Sequence, residues 1–167
     1  SRELLKHKEI TKYTTVWMDT LREGKTQIVN TNKLVRFYKG TTGLKTGTTS
    51  RAGYCLSASA ERDGLHLIAV VMGAESSNER FDGAKALLDW GFANFETVTP
   101  EIDSALLKDV RVLKGAEAYV TPIAENLKPF TLKKGDKDRM VTEITLPENI
   151  EAPCEENQTL GRIIFTV

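Results

Sequence analysis

The sequence predicts an α+β architecture: a partial antiparallel sheet with one covering helix, followed by a small all-β, sandwich-like domain. Three observations predict it. Gly53 to Arg62 alternates, with Tyr54, Leu56, Ala58 and Ala60 on one face; Asp63-Gly64 is a hairpin signal; and Leu65 to Met72 answers as a nearly all-apolar strand. Next, Ser76 or Ser77 caps a helix whose Phe81, Ala84, Leu87, Leu88 and Gly91 to Phe92 recur at three- and four-residue spacing. Finally, from Glu96 onward no helical period persists, and short strand candidates alternate with turn residues.

The elements follow in order. Leu4, Leu5, His7 and Ile10 form a short helical stripe. Tyr13 to Arg22, rich in β-branched and aromatic residues, reads as a strand, Glu23-Gly24 as a turn, and Thr26 to Val29 as the returning strand. Asn30-Thr31-Asn32 caps a short helix through Leu34, Val35 and Phe37. Gly40 to Gly43 reads as a loop, and Lys45 to Thr49 as the strand beside the hairpin or its approach. Leu65 to Met72 is apolar enough to be buried on both faces or to lie mid-sheet. Glu79 suits the first helical turn, and Gly91 and Asn94 suit the helix end. Beyond a boundary near Glu96 to Pro100, strands are expected at Val110 to Leu113, Glu117 to Thr121, Phe130 to Lys133, Met140 to Leu146 and Arg162 to Val167. Turns separate them at Lys114-Gly115, Asn126 to Pro129, Gly135-Asp136 and Pro147 to Pro153. The division is therefore 1–95 and 96–167.

Composition removes several function classes. The 167 residues carry 23 Lys plus Arg and 23 Asp plus Glu, so a balanced chain gives no electrostatic reason to expect a nucleic-acid partner. No apolar run reaches the length of a membrane span, and no secretory leader is visible. The chain starts without Met, inside a periodic segment, and reads as a piece of a longer protein. Cys55 reads as a buried free thiol and Cys154 as a loop or strand-edge residue; no zinc spacing exists, and no metal or cofactor is expected. Two phosphate-loop lookalikes, at Gly24-Lys25-Thr26 and Gly40 to Thr46, lack the required glycines. His66, like His7, reads as a surface or satisfied core histidine, and Arg51 and Arg62 as surface charges.

Lys45-Thr46-Gly47 carries the most information, through its surroundings. It lies within Thr42-Gly43-Leu44-Lys45-Thr46-Gly47-Thr48-Thr49-Ser50-Arg51-Ala52-Gly53-Tyr54, is preceded by Asn30-Thr31-Asn32-Lys33-Leu34, and is followed by a helix carrying Asp89-Trp90-Gly91-Phe92. This run resembles the low-molecular-mass penicillin-binding proteins, the serine D-alanyl-D-alanine carboxypeptidases, whose third active-site motif is Lys-Thr-Gly on a cleft-edge strand. The likeness is specific over Asn30 to Phe95 and textural beyond, where that family has a β-rich second domain. One departure is local: the middle position, Thr31 here, is arginine in some relatives.

The resemblance implies a chemistry. A peptide ending in D-Ala-D-Ala would add itself to the strand by backbone hydrogen bonds. Lys45 would be the catalytic cation, helping to move protons between serine and leaving group. Gly47 would leave room for the substrate and Thr46 would offer a hydroxyl to its terminal carboxylate. The N–H of Thr48 would complete an oxyanion hole, where one donor is worth roughly 3 to 4 kcal/mol of barrier. Arg80 would reinforce the carboxylate site. The implied parent hydrolyses the terminal D-Ala of peptidoglycan pentapeptide through an acyl-serine intermediate and is acylated by penicillins and other β-lactams.

The nucleophile is not in this sequence. No serine has Lys three residues on, and Ser76-Ser77-Asn78 follows the third motif, the wrong order for the family's second. This chain alone is therefore expected to be inactive, its catalytic serine lying upstream in the same protein. A non-catalytic scaffold or interaction module at the membrane surface is the alternative, and a β-lactamase is disfavoured by the added β-rich part. With only part of a domain, Leu67, Ala69 and Val71 are expected to lack their cover, so the missing N-terminal part or a homodimer partner should supply it. The resemblance implies an extracytoplasmic, membrane-associated parent. The family's amphipathic membrane helix is absent from this sequence, so membrane contact is expected only through a segment outside it.

Overall fold

A computed structural model describes residues 1–125 and 127–167. The chain divides into two compact units, Ser1–Glu96 and Thr97–Val167. In the first, two short 3-10 turns lead into α1 (Thr11–Thr14), then β1 (Met18–Leu21), β2 (Thr26–Val29), α2 (Leu34–Phe37), β3 (Thr41–Thr49), β4 (Gly53–Arg62), β5 (Leu65–Ala74) and α3 (Ser77–Asn94).

The centre of this unit is the antiparallel sheet β3-β4-β5 with α3 laid on one face. Asp63 and Gly64 adopt φ of 50° and 76°, the left-handed pair of a tight hairpin, and set β4 against β5. Side chains alternate across a pleated strand. Leu56, Ala58 and Ala60 of β4 therefore reach the α3 face together with Ala69 of β5, and meet Phe81, Ala84 and Leu88 of the helix and Leu34 of α2. Each large side chain buried there contributes about 1.5–3 kcal/mol. The small Ala and Gly residues permit close approach: a Cβ on Gly91 would lie 2.5 Å from Leu67 Cδ1.

Several expectations need correction. Tyr13 to Trp17 is not strand; α1 runs to Thr14 and β1 begins at Met18. The Thr14 and Thr15 hydroxyls donate to the carbonyls of Ile10 (3.2 Å) and Thr11 (2.5 Å), and Thr14 also donates to Thr42 O (2.6 Å). These bonds outweigh a weak β propensity. β3 begins at Thr41, inside the expected Gly40 to Gly43 loop. β5 is an edge strand among the described residues, neither central nor buried on both faces. Its Leu67, Ala69 and Val71 face is covered by α3, contrary to the expectation of a bare face there. The bare face is the opposite one, where Val70 and Met72 are 55% and 79% exposed. Leu87 is exposed on α3, and Gly91 lies inside the helix, which ends at Asn94. Arg62 is no free surface charge: it stacks between the Tyr38 and Phe92 rings, 4.5 and 4.4 Å from their centroids, and its Nε donates to Lys39 O. Cys55 is half-buried, not buried.

The second unit is β-rich. β6 (Phe95–Val98) enters it and is followed by β7 (Val110–Leu113), β8 (Tyr119–Val120), β9 (Phe130–Lys133), β10 (Val141–Thr145), β11 (Asn149–Glu151) and β12 (Arg162–Thr166). They form the small sheets β6-β9, β11-β7-β8 and β10-β12. β7, β9, β10 and β12 fall where expected; β8 is shorter, and β6 and β11 were not anticipated. β11 pairs parallel to β7, a long-range pairing that local alternation does not encode. The turn expected at Asn126 to Pro129 begins at Asn126, outside the described residues.

Candidate active site

The three-residue motif lies in the middle of β3, and among the described residues β3 pairs only with β4. No strand covers its other edge among the described residues, although Thr42 O already accepts from the Thr14 hydroxyl and Thr46 O from Lys45 Nζ. Register places Lys45 opposite Ser57, Thr46 opposite Leu56, Gly47 opposite Cys55 and Thr48 opposite Tyr54. Lys45 and Gly47 thus share the face away from α3, whereas Thr46 and Thr48 share the α3 face.

Lys45 is exposed, and its Nζ donates to Thr46 O at 2.5 Å. Gly47 has no atom within 4 Å of where a Cβ would stand, so the space beside it is open. Thr46 is 8% exposed, and its hydroxyl lies 2.7 Å from that of Thr31. Asn30 and Asn32 flank Thr31 and fix it: Asn30 Oδ1 accepts from Asn32 N–H and Asn32 Oδ1 accepts from Leu34 N–H. The expected capping of α2 by this tripeptide is not made at the cap position, which is Lys33 and has no side-chain cap bond; Asn32, one residue earlier, accepts from Leu34 N–H instead.

Arg80, in the first turn of α3, is only 6% exposed. Its Nη1 donates to Thr48 Oγ1 (3.1 Å), Gly47 O (3.3 Å) and Cys55 O (3.4 Å), and its Nη2 to Ser77 Oγ (3.4 Å). The Tyr54 and Phe81 rings flank the guanidinium at 5.3 and 4.9 Å. Every one of these partners is neutral, and Nε has none among the described residues. A buried cation is costly unless opposite charge reaches it. Arg80 is thus a buried cation at the Thr48 end of β3 with no opposite charge beside it among the described residues. Beside it, an open recess of about 480 Å³ runs along Thr48 to Tyr54 and Gly73 to Glu75.

The structure thus brings Lys45, Thr46, Gly47, Thr48 and Arg80 to one strand edge. Sequence reasoning did not place Thr31, Tyr54 and Ser77 beside that group, although Thr31 and Tyr54 both lie in the runs quoted for the resemblance, Thr31 at the position where some relatives have arginine. Ser76-Ser77-Asn78 has Ser-x-Asn spacing but builds a helix start: Ser76 Oγ accepts from Glu79 N–H at 3.1 Å, and Glu79 Oε2 accepts from Glu75 N–H at 2.8 Å.

The first unit thus presents a strand edge with an exposed lysine and, among the described residues, a buried arginine that no carboxylate meets, and a small β-rich unit follows it in sequence. Residues 1–76 match the family described as D-alanyl-D-alanine carboxypeptidase, and residues 95–167 match the C-terminal domain of penicillin-binding protein 5. The chain is 38% identical to the D-alanyl-D-alanine carboxypeptidase DacF of Bacillus subtilis over 99% of its own length and 43% of that protein's. Among solved structures it is similar to penicillin-binding protein 5 from Haemophilus influenzae, with a TM-score of 0.74 and 31% identity over 98% of this chain and 48% of that one. It is also similar to penicillin-binding protein D2 from Listeria monocytogenes in a cefotaxime-bound form, with a TM-score of 0.51 and 34% identity over 55% of this chain and 36% of that one. Family models thus match this chain in its two parts, residues 1–76 and 95–167, and the chain spans less than half the length of these relatives.

Proposed function

We propose that these residues form the substrate-gripping part of a serine-type D-Ala-D-Ala carboxypeptidase acting on peptidoglycan pentapeptide. The observation that carries the proposal is the Lys45 to Thr48 edge with Arg80 behind it and no carboxylate paired to either cation among the described residues. An extended stem peptide lies along the open edge of β3 and extends the sheet. Its free carboxylate meets the Thr46 and Thr48 hydroxyls, backed by the field of Arg80. Lys45, on the other face of the same strand, meets the serine hydroxyl and the scissile amide nitrogen. The serine oxygen attacks the penultimate D-Ala carbonyl, the C–N bond breaks, and the terminal D-Ala leaves with the transferred proton. Water then hydrolyses the ester, and the N–H of Thr48 steadies the oxyanion in both steps. A β-lactam carries the same carboxylate and an amide that the serine opens, so it is trapped at the first stage.

The serine itself belongs to residues preceding Ser1 in the parent, which seat on the bare face of the sheet around Val70 and Met72. A second copy of this chain is the alternative cover for that face. Residues 1–95 form the rear of the catalytic domain, and 96–167 form a β-rich second domain. The substrate is outside the cytoplasmic membrane, so the parent works there, held to the membrane through a segment outside this sequence.

A fluorescent penicillin tests the reading. The full-length parent takes up label and releases D-Ala from a pentapeptide, and Lys45→Ala lowers both by about a hundredfold or more. The 167-residue chain takes up none. Labelling of this chain, or a Lys45→Ala parent as active as wild type, would refute the assignment.

A further inference from the structure

We infer that Thr31 is a positioning residue for the carboxylate site, its hydroxyl fixing the direction in which Thr46 donates to a ligand carboxylate. The inference rests on the carboxypeptidase reading and adds a residue to it. Three observations converge. The two hydroxyl oxygens are 2.7 Å apart, a full-strength contact between residues fifteen apart in sequence. Thr46 is nearly buried, so water cannot replace a lost partner freely. The backbone beside Thr31 is pinned from both sides. Asn30 N–H donates to Trp17 O at 2.8 Å, and Asn30 Nδ2 donates to Val16 O at 2.9 Å. Asn30 Oδ1 and Asn32 Oδ1 then hold the next two turns of chain. Two asparagines thus hold one threonine against the motif.

Proton counting gives the hydroxyl a direction. Each hydroxyl has one proton and two lone pairs, and a carboxylate only accepts. When Thr46 gives its proton to a carboxylate, the shared bond must run from the Thr31 hydroxyl to the Thr46 oxygen. Thr31 then fixes the Thr46 rotor and polarises its O–H, as successive hydrogen bonds in a chain reinforce one another. With valine at 31 the shape persists, but Thr46 loses that donor and its oxygen is left without a partner on that side.

The test uses the full-length parent with two ligands, a penicillin and its neutral methyl ester, and measures the second-order acylation rate of each. Thr31→Val should slow acylation by the acid about three- to tenfold, the range of one net hydrogen bond, and leave the ester rate unchanged. Thr31→Ser should restore the acid rate. In a Thr46→Val background the Thr31→Val effect should vanish. Thr31 is exposed, so folding tolerates these changes; Thr31→Ala offers a second variant held to the same acid-selective loss. Equal slowing of acid and ester would make Thr31 a merely structural residue and overturn the inference, as would no slowing of either. A wild-type parent that neither ligand acylates would instead overturn the functional reading, and this inference with it.

Discussion

Gly47 separates the stability of the strand from the chemistry at its edge. A methyl group there meets nothing within 4 Å, and Gly47 is not among the glycines held at positive φ. Folding should therefore tolerate Gly47→Ala without rearrangement. Loss of unfolded-chain entropy should raise stability by about 0.4–1 kcal/mol. In a unit of this size that corresponds to a few degrees in Tm, taking about 4–8 °C per kcal/mol. The same methyl projects from the face that carries Lys45, into the space a ligand backbone must enter to pair with β3. A displacement of about 1 Å at a reacting centre costs on the order of a hundredfold in rate. Thermal melting of the 167-residue chain and penicillin acylation of the full-length parent read the two effects separately. Gly53→Ala is the control: φ is +63° and a Cβ would stand 2.8 Å from Ala74 O, so this change should lower Tm. A Gly47→Ala chain that melts well below wild type, or a Gly47→Ala parent acylated at the wild-type rate, would refute the reasoning.

Two further outcomes follow from the packing. Leu88 is 1% exposed at the centre of the sheet–helix core, so Leu88→Ala should cost about 2–5 kcal/mol in a denaturant titration. Burial, and then the hydrogen bond its hydroxyl donates to Asp89 at 2.6 Å, push the Tyr38 phenol up from 10.0 to about 12. The unfolded chain therefore releases this proton first as pH rises. The contribution is complete below about pH 10 and is lost between 10 and 12. Alkaline unfolding monitored by circular dichroism should be less steep over that interval in Tyr38→Phe than in wild type.

Local signals determined the β4–β5 hairpin, the N-terminal cap of α3 and the motif strand. Asp63-Gly64 demands left-handed backbone, Ser76 supplies the missing acceptor at a helix start, and the Lys-Thr-Gly run is short and contiguous. These are interactions within a few residues, so their chemistry is written in order along the chain. Family resemblance, carried by contiguous residues, added the expected roles of Lys45 and Arg80.

Tertiary structure decided what depends on distant partners. Thr14 became helical because Thr42 O lies within its reach, and β11 formed because β7 offers it a parallel edge. Alternation in β5 could not say which face α3 would cover; the close fit of Leu67 against Gly91 and of Val71 against Gly83 settled it. Arg62, taken as a surface charge, found two aromatic rings, one from α3 and one just after α2. The contact between Thr31 and Thr46 belongs to the same class. Sequence order cannot specify it, because hydrogen bonds and packing act through space, and only the folded chain brings residue 31 beside residue 46.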